Sequence, residues 1–197
     1  MKKQLVATLF TVALAVAPAL GAAMDDGVTS TKFNVLLSPS HQVPPLEGID
    51  ISGKATIEFN VKRANGNVMM VVADFHVDWR AGQMEELRAM HIHMGKAGMN
   101  GGIVIDTSLG AQAAATSGAI FRQVKITDAA GIATVMDIMA NPGDYYLNVH
   151  SVSSPSGVLR GQLEMDAAAQ LKMVEGNLQK SLDEIQKTLD NLANFIL

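Results

Sequence analysis

The chain contains no cysteine. That absence removes disulfides, iron–sulfur clusters, thiolate metal sites, thiol nucleophiles and the lipid attachment of a bacterial lipoprotein. Any metal must be held by His, Met, carboxylate or backbone oxygen. Charge is scarce as well: charged residues make up 17%, with 15 basic against 19 acidic, and no basic run goes beyond Lys2-Lys3. Nothing resembles a phosphate-tracking surface, so nucleic acid is not an expected partner. Long apolar runs are missing too, since the stretch Leu5 to Val16 falls short of the roughly 18–20 residues a membrane helix needs. There is no Gly-x-Ser-x-Gly elbow, Cys/His pair, Walker loop or dinucleotide fingerprint, so no catalytic residue is assigned. What is plentiful is hydrophobe, 48% of 197 residues, enough to close the core of one domain.

The two ends differ in texture from the middle. Residues 1–23 begin with Lys2 and Lys3, continue through the apolar stretch and finish in Pro18 and the small-residue segment Ala19 to Ala23. This is the pattern of a secretory signal peptide, with cleavage expected after Ala23 and an exported chain, periplasmic or secreted, that spans no membrane after cleavage. From Asp166 to the end, Leu171, Val174, Leu178, Leu182, Ile185, Leu189, Leu192 and Ile196 recur at spacings of three or four, which predicts an amphipathic helix over 166–197. Asp166 is the expected cap. The stripe can dock on its own domain or zip with another copy as a coiled-coil homo-oligomer.

Residues 24–165 carry period two. Phe33, Val35 and Leu37 alternate with polar neighbours, as do Ala55, Ile57, Phe59 and Val61. Asn65-Gly66 marks a tight hairpin between that run and the next, Val68 to Val77. Ile132, Thr134, Met136 and Ile138 alternate as well, and Tyr145–Val152 and Val158–Leu163 flank a turn-rich connection. Glu85-Glu86 reads as a solvated pair. The expectation is an all-β fold of seven to nine short strands with no helix before Asp166, either an antiparallel β-sandwich or a barrel built the same way.

The histidines concentrate the chemistry. His91 and His93 lie two apart on a strand and so project to one face, where one copper or zinc ion can touch both imidazoles. On the later strand Tyr146, Asn148 and His150 share a face, which makes His150 the candidate third ligand. Met99, His76 and His41 are candidates for a fourth, a Met thioether favouring copper(I). Met90 and Met94 point away from the histidine face, as core residues. Asn148, Arg160 and Gln162 are cross-strand polar positions able to support the site.

Four ordered blocks resemble a known module. Gln42-Val43-Pro44-Pro45, Met90-His91-Ile92-His93 with its following Gly-rich loop and Gly102-Ile103-Val104, Tyr146-Leu147-Asn148-Val149-His150, and Val158-Leu159-Arg160-Gly161-Gln162-Leu163 look like the signature of the CHRD (chordin) domain, here in a bacterial secreted version. The resemblance covers about Lys32 to Glu164. Family members usually carry an acidic residue where Gln42 stands, Ala at Met90, Gly at Met94 and Glu at Val158. The resemblance implies an immunoglobulin-like Greek-key β-barrel and an extracytoplasmic location. The animal module's binding of bone morphogenetic proteins does not carry over to this chain.

Three readings stay open. The first is an exported binding module holding copper or zinc through the H-x-H…H set. The second is a structural or interaction protein with an unidentified protein partner, in which the histidines only form a hydrogen-bond network and the terminal helix assembles copies. The third is a superoxide-dismutase-like copper enzyme, suggested only by the similar H-x-H arrangement on another β-sandwich.

Overall fold

The computed structural model of the chain describes residues 27–165 and 167–196. The expected signal peptide and the capping role of Asp166 lie outside the described residues. The alternating segments form strands that pair as the turn chemistry requires. β1 (Gly27–Leu37), β2 (Ile51–Ala64) and β3 (Asn67–Glu85) form an antiparallel meander. The β2–β3 turn is made by Asn65 (φ 51) and Gly66 (φ 73), both in the left-handed region a tight hairpin uses.

β6 (Ala115–Ile126) pairs with the far edge of β3, and β9 (Glu164–Met165) with β1, giving a five-stranded sheet in the order β6-β3-β2-β1-β9. A second sheet contains β5 (Ile103–Asp106), β4 (Leu87–Met94), β7 (Tyr145–Ser151) and β8 (Leu159–Gln162) in that order. These nine strands among the described residues make an open antiparallel sandwich, and neither sheet closes into a barrel. The period-two apolar residues face each other between the sheets: Phe33, Ile57, Phe59, Val71, Val77, Ile92, Leu147 and Leu159 are buried. Phe33 and Phe59 meet edge to face at 5.7 Å. Backbone bonds between Ser38 and Arg160 stitch the end of β1 to β8.

One expectation is corrected. Residues Ala129–Ala140 form a helix, α1, where the alternation of Ile132, Thr134, Met136 and Ile138 predicts a strand. Asp128 caps it by accepting the Gly131 N–H at 2.8 Å, and two alanines open the first turn. The residues turned inward are Ile132, Val135, Ile138 and Met139, a helical stripe that overlaps the even-numbered apolar positions. A second correction concerns Glu85, which is buried and accepts the Ser153 hydroxyl at 2.8 Å. Met90 is in the core as expected, whereas Met94 is half exposed.

α2 (Ala167–Ile196) follows β9 directly. Its apolar stripe from Leu171 to Leu192 is solvent-exposed.

Candidate metal centre

The outer face of the four-stranded sheet collects the polar residues that alternate with its core positions. Register sets them in rows: Asp106, His91, Asn148 and Arg160 stand side by side across β5, β4, β7 and β8, with His93, Tyr146 and Gln162 in the adjacent row. His150 is one step along β7 from Asn148, opposite Ala89.

Three loops roof this face. The segment after β1 sends the Gln42 amide to the Asn148 side-chain oxygen at 2.8 Å. The loop between β4 and β5 is gripped by Arg160, whose guanidinium donates to the carbonyls of Met99 (2.7 Å) and Lys96 (3.2 Å) and to the Asn100 side chain (3.1 Å). Asn100 in turn donates to the Val43 carbonyl at 2.8 Å, tying the first two loops together. The third loop, between β7 and β8, accepts from Asn148 at Ser156 and bonds His150 at Pro155. Gly157 in that loop has φ +124, and a side chain there would collide with the Asn148 amide at 2.4 Å. Under this roof Arg160 is 1% exposed and has no carboxylate partner among the described residues. Its charge is carried by carbonyl oxygens and by the Tyr146 ring, 3.5 Å from the guanidinium carbon. Tyr146 stacks on its other side against His93, at 5.0 Å between centroids and 9° between planes.

The three histidines converge. His91, His93 and His150 each offer one ring nitrogen, and these atoms lie within 4.8 Å of one another. A tetrahedral ion with bonds of about 2.0–2.1 Å wants its nitrogens about 3.3 Å apart, so the set closes on an ion by displacements of about 1 Å.

Hydrogen-bond bookkeeping then fixes most of the tautomers. His93 Nδ1 lies 3.0 Å from the Gly101 carbonyl and His150 Nδ1 3.0 Å from the Pro155 carbonyl, and a carbonyl only accepts. Both rings therefore present Nε2 as a lone pair. His93 Nε2 is buried with no partner among the described residues. His150 Nε2 faces His91 Nδ1 at 3.0 Å, while His91 Nε2 faces an Asp106 carboxylate oxygen at 3.6 Å. With its proton on Nδ1 a neutral His91 donates to His150 Nε2 and leaves a lone pair toward Asp106, whereas with its proton on Nε2 it sets its own Nδ1 lone pair against that of His150. In the second tautomer a further proton or a metal cation resolves the conflict. Burial first, then His150, pushes the His91 pKa below its ordinary value, with Asp106 opposing. Burial likewise lowers His93, against the Gly101 carbonyl and with His150 and Arg160 adding to the depression. Burial thus disfavours the proton on His91 and His93. Each outer nitrogen faces an oxygen acceptor, the arrangement that orients metal-bound imidazoles.

The sequence matches the model of the CHRD domain family over residues 33–163. The chain belongs to the CHRD family. No curated protein and no solved structure matches it. In this CHRD domain the roofed face is built from the blocks that carry the family signature, with both His blocks, Gln42, Arg160 and Gln162 on it.

The candidate fourth ligands are dispersed. His76 stands on the outer face of the other sheet, 3.3 Å from Asp78 and stacked on Phe121. His41 turns its Nδ1 to the Arg160 carbonyl at 3.1 Å, and neither His41 nor His76 belongs to the three-histidine group. Met99 has an exposed side chain and contributes its carbonyl to Arg160. Asn148 and Arg160 tie the roof down, and Gln162 donates to the carbonyls of Gly95, Gly143 and Tyr145. Sequence reasoning missed the roles of Gln42, Asp106, Tyr146 and the carbonyls of Gly101 and Pro155. Only Asp106 had a local signal, as an acidic residue ending the short run Ile103-Val104-Ile105.

Proposed function

We propose that this CHRD domain is an exported binding module that holds a single copper or zinc ion through His91, His93 and His150. The observation carrying the reading is the set of three converging imidazoles, those of His93 and His150 resting their outer nitrogens on the Gly101 and Pro155 carbonyls and that of His91 facing Asp106, with His93 Nε2 buried and without a partner among the described residues. Imidazole nitrogen suits copper and zinc, and no thiolate exists to draw a softer chemistry. The leader pattern at residues 1–23 supports export.

The test is calorimetric titration of the chain from Met24 onward with Cu(II) and with Zn(II). Saturable uptake of one ion per chain is expected, together with a rise in melting temperature as ion binding favours the folded state. Removing a ligand in His91→Ala should weaken binding by about 100-fold or more. Uptake no greater than that of a histidine-free control protein would end the proposal.

A further inference from the structure

The stripe on α2 has no role in the metal centre. Leu171, Val174, Leu178, Leu182, Ile185, Leu189 and Leu192 are each between 50% and 61% exposed. A helix that long gains its stability from burying an apolar face, and the sandwich does not cover this one. The spacing says what kind of surface would. Leu171, Val174, Leu178 and Leu182 make one eleven-residue step, and Leu182, Ile185, Leu189 and Leu192 continue at three, four and three, the a/d seam of a coiled coil.

Charge narrows the occupant. From Gln179 to Ala193 the positions flanking the seam are Gln179, Ser181, Gln186, Thr188 and Ala193, all uncharged. Lys180, Asp183, Glu184, Lys187 and Asp190 fall on the opposite side, where they meet solvent. Over that stretch an identical helix therefore brings no like charge against the seam. An anionic lipid surface is a poorer fit, because interfacial helices carry a cationic polar face and this one mixes three acidic with two basic residues over that stretch. Seven half-exposed apolar side chains offer about 500–600 Å² per copy, approaching the roughly 800 Å² a side of a standard interface.

We infer that α2 is a self-association element, its Leu171–Leu192 seam packing against the same seam of a second copy of this chain. The pairing places metal centres of separate copies on one assembly, since α2 begins at Ala167, two positions after β9 ends at Met165.

Sedimentation equilibrium on the chain from Met24 onward tests the inference without adding metal, so its outcome is independent of the ion proposal. A mass at least twice that of one chain is expected. The double variant Leu182→Lys/Ile185→Lys should return to one chain mass with an unchanged near-ultraviolet spectrum of the sandwich, both side chains being exposed. Asp183→Lys, on the far face, should keep the multimer. A wild-type mass of one chain throughout the micromolar range overturns the inference, as does a multimer that survives the double variant. Single-chain protein that co-sediments with phosphatidylglycerol vesicles would overturn it too, by assigning the stripe to lipid.

Discussion

The two sheets of the sandwich each turn a histidine-bearing polar face outward, and they treat it in opposite ways. On the five-stranded sheet, His76 and Asp78 are 45% and 47% exposed, Phe121 lies open over His76, and Asp74 takes bonds from Asn60 and Gln123. On the four-stranded sheet, the equivalent positions are roofed, and His93, Asn148 and Arg160 are buried. Strand alternation alone produces the first face. The second needs loops, and the loops need an anchor. That anchor is Arg160, which reaches residues 60 to 64 positions away in the chain. The site is thus a property of the roof as much as of the three imidazoles.

The sharpest way to break this contrast is to remove the anchor. In Arg160→Ala the carbonyls of Lys96 and Met99 lose a charged donor under cover, and the Tyr146 ring loses the cation above it. Stability should fall by about 2–3 kcal/mol, read as a lowered urea midpoint. Arg80, bonded weakly to Ser52 at 3.4 Å on the open face, should cost less than about 0.5 kcal/mol when changed to Ala. Equal losses for the two variants would mean that the roof contributes nothing.

The next test compares histidines face against face. His150→Ala should lower copper or zinc affinity by about 100-fold or more, and Asp106→Asn, which weakens the acceptor behind His91, by about 10-fold. His76→Ala should leave affinity within about twofold, since a group on the opposite side of the sandwich acts independently. Loss of binding in His76→Ala would relocate the site to the five-stranded sheet.

Much of this architecture was readable from residue order, and the reasons for the rest are specific. Alternation in Ala55–Val61 and the Asn65-Gly66 turn located β2 and β3, because a sheet half-buried on one side leaves a period-two trace. The His91–His93 pair and its match to His150 followed from the same rule. β7 shows where that rule ends: Tyr145, Tyr146, Leu147, Asn148 and Val149 are all buried. One face is covered by the core and the other by the roof, so polarity along the strand no longer reports exposure. Gln42 and Asn148 meet across 106 positions, a distance at which spacing carries no information. α1 was misread for a different reason, its helical stripe sharing positions with an alternating one. The Asp128 cap ahead of two alanines was the local sign that distinguishes them.

The smallest expected effect concerns pH, and its sign follows from the burial of the roofed histidines. Without an ion, His91 and His93 are both held below the ordinary imidazole value of 6.5, burial being the largest cause for each. Above pH 6.5 the folded and unfolded chains bind the same number of protons at these rings. As pH drops below that, the unfolded chain takes up protons that the folded site refuses, and stability declines until the folded pKa values are reached. The urea midpoint should therefore fall between pH 7.5 and about 5. His93→Phe, which keeps a ring against Tyr146 but removes one refusing group, should flatten the profile. A profile left unchanged by His93→Phe would show that burial under the roof does not hold the proton off this ring.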